Sequence, residues 1–407
     1  MKTVDGGVTA PKGFKAAGVH AGIKKSGKKD MALIYSEAPC RTAGVFTTNV
    51  VKAAPVKWDQ KVVLESPFAQ AVVVNSGVAN ACTGKEGYDC CTEMAAETGK
   101  ALGIPKEAVL VASTGVIGAQ LPMDAIRSGI SKMAPILGCK RLDARLAAEA
   151  IMTTDTKPKE IAVEVELGGK TAVVSGMGKG SGMIHPNMAT MLCFLTTDAC
   201  IAREMLQKAL SADVKDTFNM ISVDGDTSTN DSVVLLANGM AGNPEITEEG
   251  EDYRLFCEAL HEVMTTLSKM IAGDGEGATC LFEVKVSGAP DKEAARTLAK
   301  AVVTSSLTKA AVFGRDANWG RILCALGYSG VSFDPEKVDI WLLSRAGKLK
   351  IVENGTAAGY EEEEATRILS EEEVTAIADV GAGDFSATAW GCDLTLDYVK
   401  INADYRS

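Results

Sequence analysis

Two kinds of hydrophobic spacing alternate along the chain. Short β-branched runs at 71–74 and 108–111 read as strands, while residues 123–137 repeat their apolar positions at helical spacing. Residues 161–167 alternate apolar and acidic side chains, and a second strand-like run, 170–175, follows after Gly168 and Gly169, so a hairpin is predicted. A glycine-rich turn over 176–182 is expected to close it. Downstream, 203–219 and 249–271 read as helices, the second preceded by the polar stretch 243–250. Glycines at 273, 275 and 277 interrupt the pattern, 281–286 alternates as a strand, and 291–312 predicts one long helix ending before Gly314. Strand-like runs and an acidic stretch, 361–364, fill 331–400. The sum is a mixed α/β protein without internal repeats, divided at a soft boundary into 1–287 and 288–407.

Charge and composition remove several classes of function. Forty-two basic against fifty-three acidic residues leave a net charge of −11, which opposes binding to nucleic acid or anionic lipid. The first fifteen residues lack the continuous apolar stretch of a signal peptide, and no apolar run approaches the roughly 20 residues needed to span a bilayer. A cytoplasmic protein is expected. The 11 cysteines are odd in number and mostly embedded in apolar segments, which suits reduced thiols rather than disulfides. With no Cys-x-x-Cys pair and three isolated histidines, His20, His185 and His261, no metal site is expected.

The glycine-rich segments fail as nucleotide sites. Gly178-Lys179-Gly180-Ser181 lacks the glycine that a Walker loop requires at position 173, which is Val173. Gly273-x-Gly275-x-x-Ala278 follows a helix and precedes a strand, the reverse of the dinucleotide-binding context. A different chemistry is available at Met188-Ala189-Thr190-Met191-Leu192-Cys193, where a polar loop meets an apolar run. A hydroxyl at such a junction can attack the preceding carbonyl, and hydrolysis of the resulting ester frees its own α-amine. That amine, with an unperturbed pKa of about 7.7–8.0, can act as general base near neutral pH. Ala-Thr junctions are common, however, and a threonine entering a strand is ordinarily a β-former.

The wording around the junction narrows the choice. Lys179-Gly180-Ser181-Gly182-Met183-Ile184 followed by Met188-Ala189-Thr190-Met191-Leu192 resembles the self-cleavage segment of the ornithine acetyltransferase / glutamate N-acetyltransferase family. The resemblance extends over nearly the whole chain, through 75–84, 113–118, 151–156, 314–321 and 401–405. It implies a layered α-β-β-α-like catalytic domain similar to N-terminal-nucleophile enzymes, with a smaller C-terminal α/β domain. It also implies cleavage into mature chains 1–189 and 190–407, assembled as α2β2, with no external cofactor.

The same resemblance assigns roles. Thr190 would cut the backbone after Ala189 and then carry the acetyl group, taken from N2-acetyl-L-ornithine and passed to L-glutamate in a ping-pong cycle. Thr114 and Gly115 match the family's oxyanion hole, pictured here at a turn that follows the strand ending at Ala112. Thr154, Lys179, Glu276, Asn402 and Ser407 match substrate-binding positions; Lys179 sits in a glycine loop, and Ser407 stands where relatives commonly carry threonine. Whether acetyl-CoA also serves as donor stays open, as does a self-cleaving amidase or aminopeptidase that passes the acyl group to water.

Overall fold

The computed structural model describes residues 1–185 and 191–403. Among the described residues the strands form two sheets, of nine and six strands. The larger contains β1 (Lys2–Val4), β2 (Phe14–Val19), β3 (Met31–Phe46), β4 (Ala69–Val78), β5 (Val109–Val116), β6 (Lys159–Leu167), β7 (Lys170–Lys179), β8 (Leu192–Thr197) and β9 (Ser232–Ala237). Their order is β1-β6-β7-β8-β9-β3-β4-β5, with β2 on β3. The long strand β3 joins two halves: Met31–Tyr35 pair with β4, Arg41–Phe46 pair with β9, and the register breaks between Tyr35 and Cys40.

The middle of this sheet is buried on both faces. In β8, Cys193 and Leu195 enter one core with Val233 and Leu235 of β9, while Leu192 and Phe194 enter a second core with Val234 and Leu236. Two-sided burial explains why 191–195 and 233–236 read as continuous apolar runs instead of alternating. On the half around β4 and β5 lie α1 (Ala54–Glu65), α2 (Gly84–Leu102), α3 (Met123–Met133) and α4 (Arg141–Ile151). The β6–β9 half is covered by α5 (Arg203–Asp213) and α6 (Glu251–Gly273).

The smaller sheet comprises β10 (Leu281–Ala289), β11 (Asp339–Ser344), β12 (Gly347–Glu353), β13 (Thr356–Ala357), β14 (Glu373–Asp379) and β15 (Phe385–Cys392). Around it are α7 (Lys292–Thr304), α8 (Ser306–Phe313), α9 (Trp319–Gly327) and α10 (Glu362–Leu369). A last helix, α11 (Leu396–Ala403), has no buried residue. Helix α6 packs on β6 and β7 and also on β10 and β15, so one core runs through both sheets. The second sheet begins at Leu281, and position 287 falls inside β10.

Three local expectations are corrected. The hairpin forms at Gly168 and Gly169, both at positive φ, but 176–179 is not a turn: β7 runs through to Lys179, paired with β6 and β8. Glycine stands at 176 because β8 and α6 crowd it; a Cβ there would lie 2.6 Å from Leu195 Cδ2 and 3.0 Å from Leu267 Cδ1. The helix over 291–312 is two helices, because Ser305, extended at ψ 109°, caps α8 by accepting from the Thr308 N–H. The helix predicted over 203–219 stops at Asp213, and the Thr217 hydroxyl turns back to the Asp213 carbonyl.

Candidate active site

Thr114 and Gly115 lie inside β5, not on a turn beyond it. The parallel pair β4–β5 continues to Ser76↔Thr114 and Gly77↔Gly115 before the register slips at Val78. Both glycines have positive φ, +110° and +133°. The two backbones touch so closely that a Cβ on Gly115 would stand 2.3 Å from the Gly77 carbonyl carbon. Only glycine fits there. The sequence reading ended the strand at Ala112 because polar Ser113 and Thr114 follow it.

Side chains from a neighbouring loop hold these strand ends. Asn230 Nδ2 donates to the Ala79 carbonyl at 2.6 Å and to the Ser113 carbonyl at 2.8 Å. Its own Oδ1 accepts from Thr229 Oγ1 at 2.6 Å. Ser113 Oγ donates to Asn75 Oδ1 at 2.6 Å, and Asn75 Nδ2 to the Val78 carbonyl at 2.9 Å. Every one of these groups is buried or nearly so, so each bond also removes a desolvation penalty.

Across the cavity stands a buried set of charges. Lys159 Nζ, 1% exposed, contacts Asp155 Oδ1 at 2.7 Å and Asp274 Oδ2 at 2.6 Å. Asp155 also accepts from the Thr153 and Gly180 N–H groups, at 3.0 and 2.8 Å. Burial opposes its ionisation, but Lys159 and Lys179 outweigh it and hold the carboxyl at about 2. Lys179, the last residue of β7, is buried instead of riding on a loop, and its Nζ reaches Thr153 Oγ1 at 3.5 Å. Burial pushes its ammonium below the ordinary lysine value, with Asp155, Asp231 and Glu276 acting the other way.

Glu276 follows α6 on a turn whose N–H donates to the Ser181 carbonyl at 3.0 Å, while Ser181 Oγ donates to the Asp274 carbonyl at 2.7 Å. Its carboxylate accepts from Asn402 Nδ2 of α11 at 2.8 Å. Gly182 makes room for it: a Cβ there would fall 2.3–2.4 Å from the carboxylate atoms. Asp224 ties this corner together, accepting from the Met183 and Ile184 N–H groups at 2.6 and 2.9 Å and from Tyr398 Oη at 3.3 Å. His185 is kept neutral near pH 7, because burial and then Lys300 push it down to about 4.

These groups meet at one cavity, lined by Thr114, Gly115, Thr154, Lys179, Glu276 and Asn402, residues spread from position 114 to position 402 of the sequence. Asn230, Asp231 and Met191 line it too. Ala189, Thr190 and Ser407 lie outside the described residues.

The profile of the ArgJ family matches residues 15–407. The chain belongs to the ArgJ family. The arginine biosynthesis bifunctional protein ArgJ of Thermotoga neapolitana is 52% identical over 98% of this chain and 99% of its own. The protein of that name from Symbiobacterium thermophilum is 55% identical over the full length of both. Among solved structures, the Bacillus halodurans arginine biosynthesis bifunctional protein ArgJ is 47% identical, with a TM-score of 0.50, covering 52% of this chain and 97% of the solved one. No helix among the described residues of this ArgJ chain is long and apolar enough to cross a membrane.

One contributor to the candidate site is absent from the residues singled out in the sequence, the loop 224–231 that supplies Asp224, Asn230 and Asp231. A signal for it existed. The run Asp-Thr-Ser-Thr-Asn-Asp at 226–231 opens directly onto the apolar strand β9, the same polar-to-apolar junction that drew notice at 190/191.

Proposed function

We propose that this protein transfers the acetyl group of N2-acetyl-L-ornithine to L-glutamate through an acetyl ester on Thr190, after cutting its own backbone between Ala189 and Thr190. One observation carries the reading: six residues expected on other grounds to serve this reaction line a single cavity, which Met191, the neighbour of Thr190 in sequence, also lines. In it, Thr114 and Gly115 stabilise the oxyanion that forms when Thr190 attacks the acetyl carbonyl. Lys179 takes a substrate carboxylate, Glu276 a substrate ammonium, and Thr154, Asn402 and Ser407 complete the polar lining. The freed Thr190 amine is the general base.

Length supports the cleavage. The Bacillus halodurans chain, almost all of it aligned, accounts for about half of this one, close to the size of residues 190–407. We read the mature enzyme as a cytosolic assembly of two copies of each fragment. The test is product analysis with glutamate and either N-acetylornithine or acetyl-CoA, alongside intact mass. Two fragments, the second starting at Thr190, together with ornithine and N-acetylglutamate in equal amounts, are expected from the first donor. Acetate in place of N-acetylglutamate would make the protein an amidase and overturn the proposal.

A further inference from the structure

One carboxyl group in the cavity is not used by the roles above. Asp231 is 2% exposed, lines the cavity, and its Oδ2 has no hydrogen-bond partner among the described residues. The other carboxylates nearby are engaged: Asp155 and Asp274 by Lys159 and by backbone N–H groups, and Glu276 by Asn402. Leaving a buried carboxyl oxygen unpaired carries a desolvation cost, and here the unpaired group belongs to a residue that lines the cavity.

Its backbone is fixed on both sides. The Thr47 N–H donates to the Asp231 carbonyl at 3.0 Å, and the Ser232 N–H to the Met191 carbonyl at 2.9 Å. In the parallel β8–β9 pair, Leu192 stands opposite Ser232. Asp231 is therefore level with Met191, the residue that follows the proposed nucleophile.

We propose that Asp231 is the acid–base group of the transfer reaction, protonating the amine that departs from the acetyl group and later accepting a proton from the amine that attacks. The proposal rests on the acetyl-transfer reading. In the first half-reaction the Thr190 Oγ–H proton passes to the general base as the Oγ–C bond forms. The C–N bond of the donor breaks, and the nitrogen takes the Asp231 proton, leaving a carboxylate. In the second half-reaction the new C–N bond forms to glutamate, whose nitrogen returns a proton to Asp231, while Oγ recovers its own from the base. No proton is gained or lost over the cycle.

The surroundings suit an acid. Burial pushes the Asp231 carboxyl well above the usual carboxylate range, against hydrogen bonds from Ser228 and Thr47 and the charge of Lys179, and so favours the protonated form that an acid needs. Lys179 from β7 and Glu276 from the turn after α6 line the same cavity, and Asp155, Asp231 and Glu276 all act on the Lys179 ammonium.

The experiment compares two acetyl donors whose leaving groups differ in their need for a proton. N-acetylornithine expels an amine, which needs one; 4-nitrophenyl acetate expels a stabilised phenolate, which does not. With Asp231→Asn, acetyl-enzyme formation from N-acetylornithine is expected to fall about 10²–10⁴-fold. Formation from the ester should stay within about threefold, and Asp231→Glu should recover part of the amide rate. Equal losses on both donors, or no loss on either, would overturn the assignment. Should Asp231→Asn fail to fold or to cleave, the wild-type enzyme decides: the ratio of amide to ester rate should fall as pH rises through the titration of the acid. A ratio flat from about pH 6 to 10 removes Asp231 from the role. If the wild type releases no ornithine at all, the transfer reading fails and this assignment with it, whereas equal losses on both donors in an otherwise active enzyme remove Asp231 alone.

Discussion

Replacing Gly182 by alanine tests the placement of Glu276 without touching it. The new methyl would lie 2.3–2.4 Å from the Glu276 carboxylate, whereas ordinary contact begins near 3.4 Å, so the carboxylate must retreat by about 1 Å. The retreat is cheap for the fold, because what moves is the far end of a flexible side chain and Gly182 is not at positive φ. Gly→Ala at such a backbone even removes unfolded-state entropy worth roughly 0.4–1 kcal/mol. For catalysis the shift is expensive, since it stretches the 2.8 Å bond to Asn402 and displaces the group proposed to hold a substrate ammonium. A misplacement of about 1 Å can cost on the order of 10²-fold in rate.

The expected outcome is an enzyme that melts at or slightly above the wild-type temperature, with kcat/KM for N-acetylornithine down by about 10–10²-fold. Thermal unfolding followed by circular dichroism and steady-state kinetics measure the two halves. Adding Glu276→Asp, which withdraws the carboxylate by one methylene, should restore part of the loss, whereas in the wild-type background the same change should only weaken binding. Kinetic constants within twofold of wild type for both substrates would refute a role for Glu276 in the site. A melting point lowered by several degrees would instead mean that Gly182 is there for packing.

Gly115→Ala is the contrasting case: its Cβ would meet the Gly77 backbone at 2.3–2.5 Å at a φ of +133°, so both stability and activity should collapse, visible as loss of soluble protein or a markedly lower Tm. Asn230→Ala leaves the Ala79 and Ser113 carbonyls without their donor, which should cost about 2–4 kcal/mol by denaturant melt and lower kcat through displacement of Thr114. Thr190→Ala should give a single uncut chain by intact mass and no ornithine release, and an active uncut variant would sink the nucleophile assignment.

How far the sequence could be read follows from what each residue answers to. The β6–β7 hairpin was legible because its turn is local: two glycines at positive φ between alternating strands. Gly176 was misread because its reason is not local; it is small so that Leu195 of β8 and Leu267 of α6, some 90 residues later, can pack against β7. The break at Ser305 left a visible trace, a serine three residues before the capped Thr308 N–H, but the apolar spacing on either side hid it. Thr114 and Lys179 were singled out by the wording of their segments and Glu276 by the glycines on either side of it, and all three line the cavity. Asn230 and Asp231 carried no such wording, and the work of Asn230, bonding the Ala79 and Ser113 carbonyls, exists only once β4, β5 and β9 are side by side.

The charges of the cavity suit an amino acid as the proposed occupant. Lys159 is neutralised by Asp155 and Asp274 and plays a structural part. Lys179 has a single hydrogen bond among the described residues, a long one to Thr153, and Glu276 has Asn402, an amide that carries no charge. Buried charges held this way are incompletely compensated, and each pays a desolvation cost that an opposite charge would offset. A ligand carrying a carboxylate and an ammonium supplies both at once, which ornithine derivatives and glutamate do and water does not. The second anchor comes from α11, a helix with no buried residue that is held by polar contacts: Asn402 to Glu276, Tyr398 to Asp224, and Thr395 Oγ1 to the Gly277 carbonyl at 2.8 Å. A segment attached by such contacts opens at lower free energy than the core. A zwitterion that bridges Lys179 and Glu276 would strengthen those contacts at the moment water must be kept from the acetyl ester, so that acceptor binding and exclusion of hydrolysis become one event.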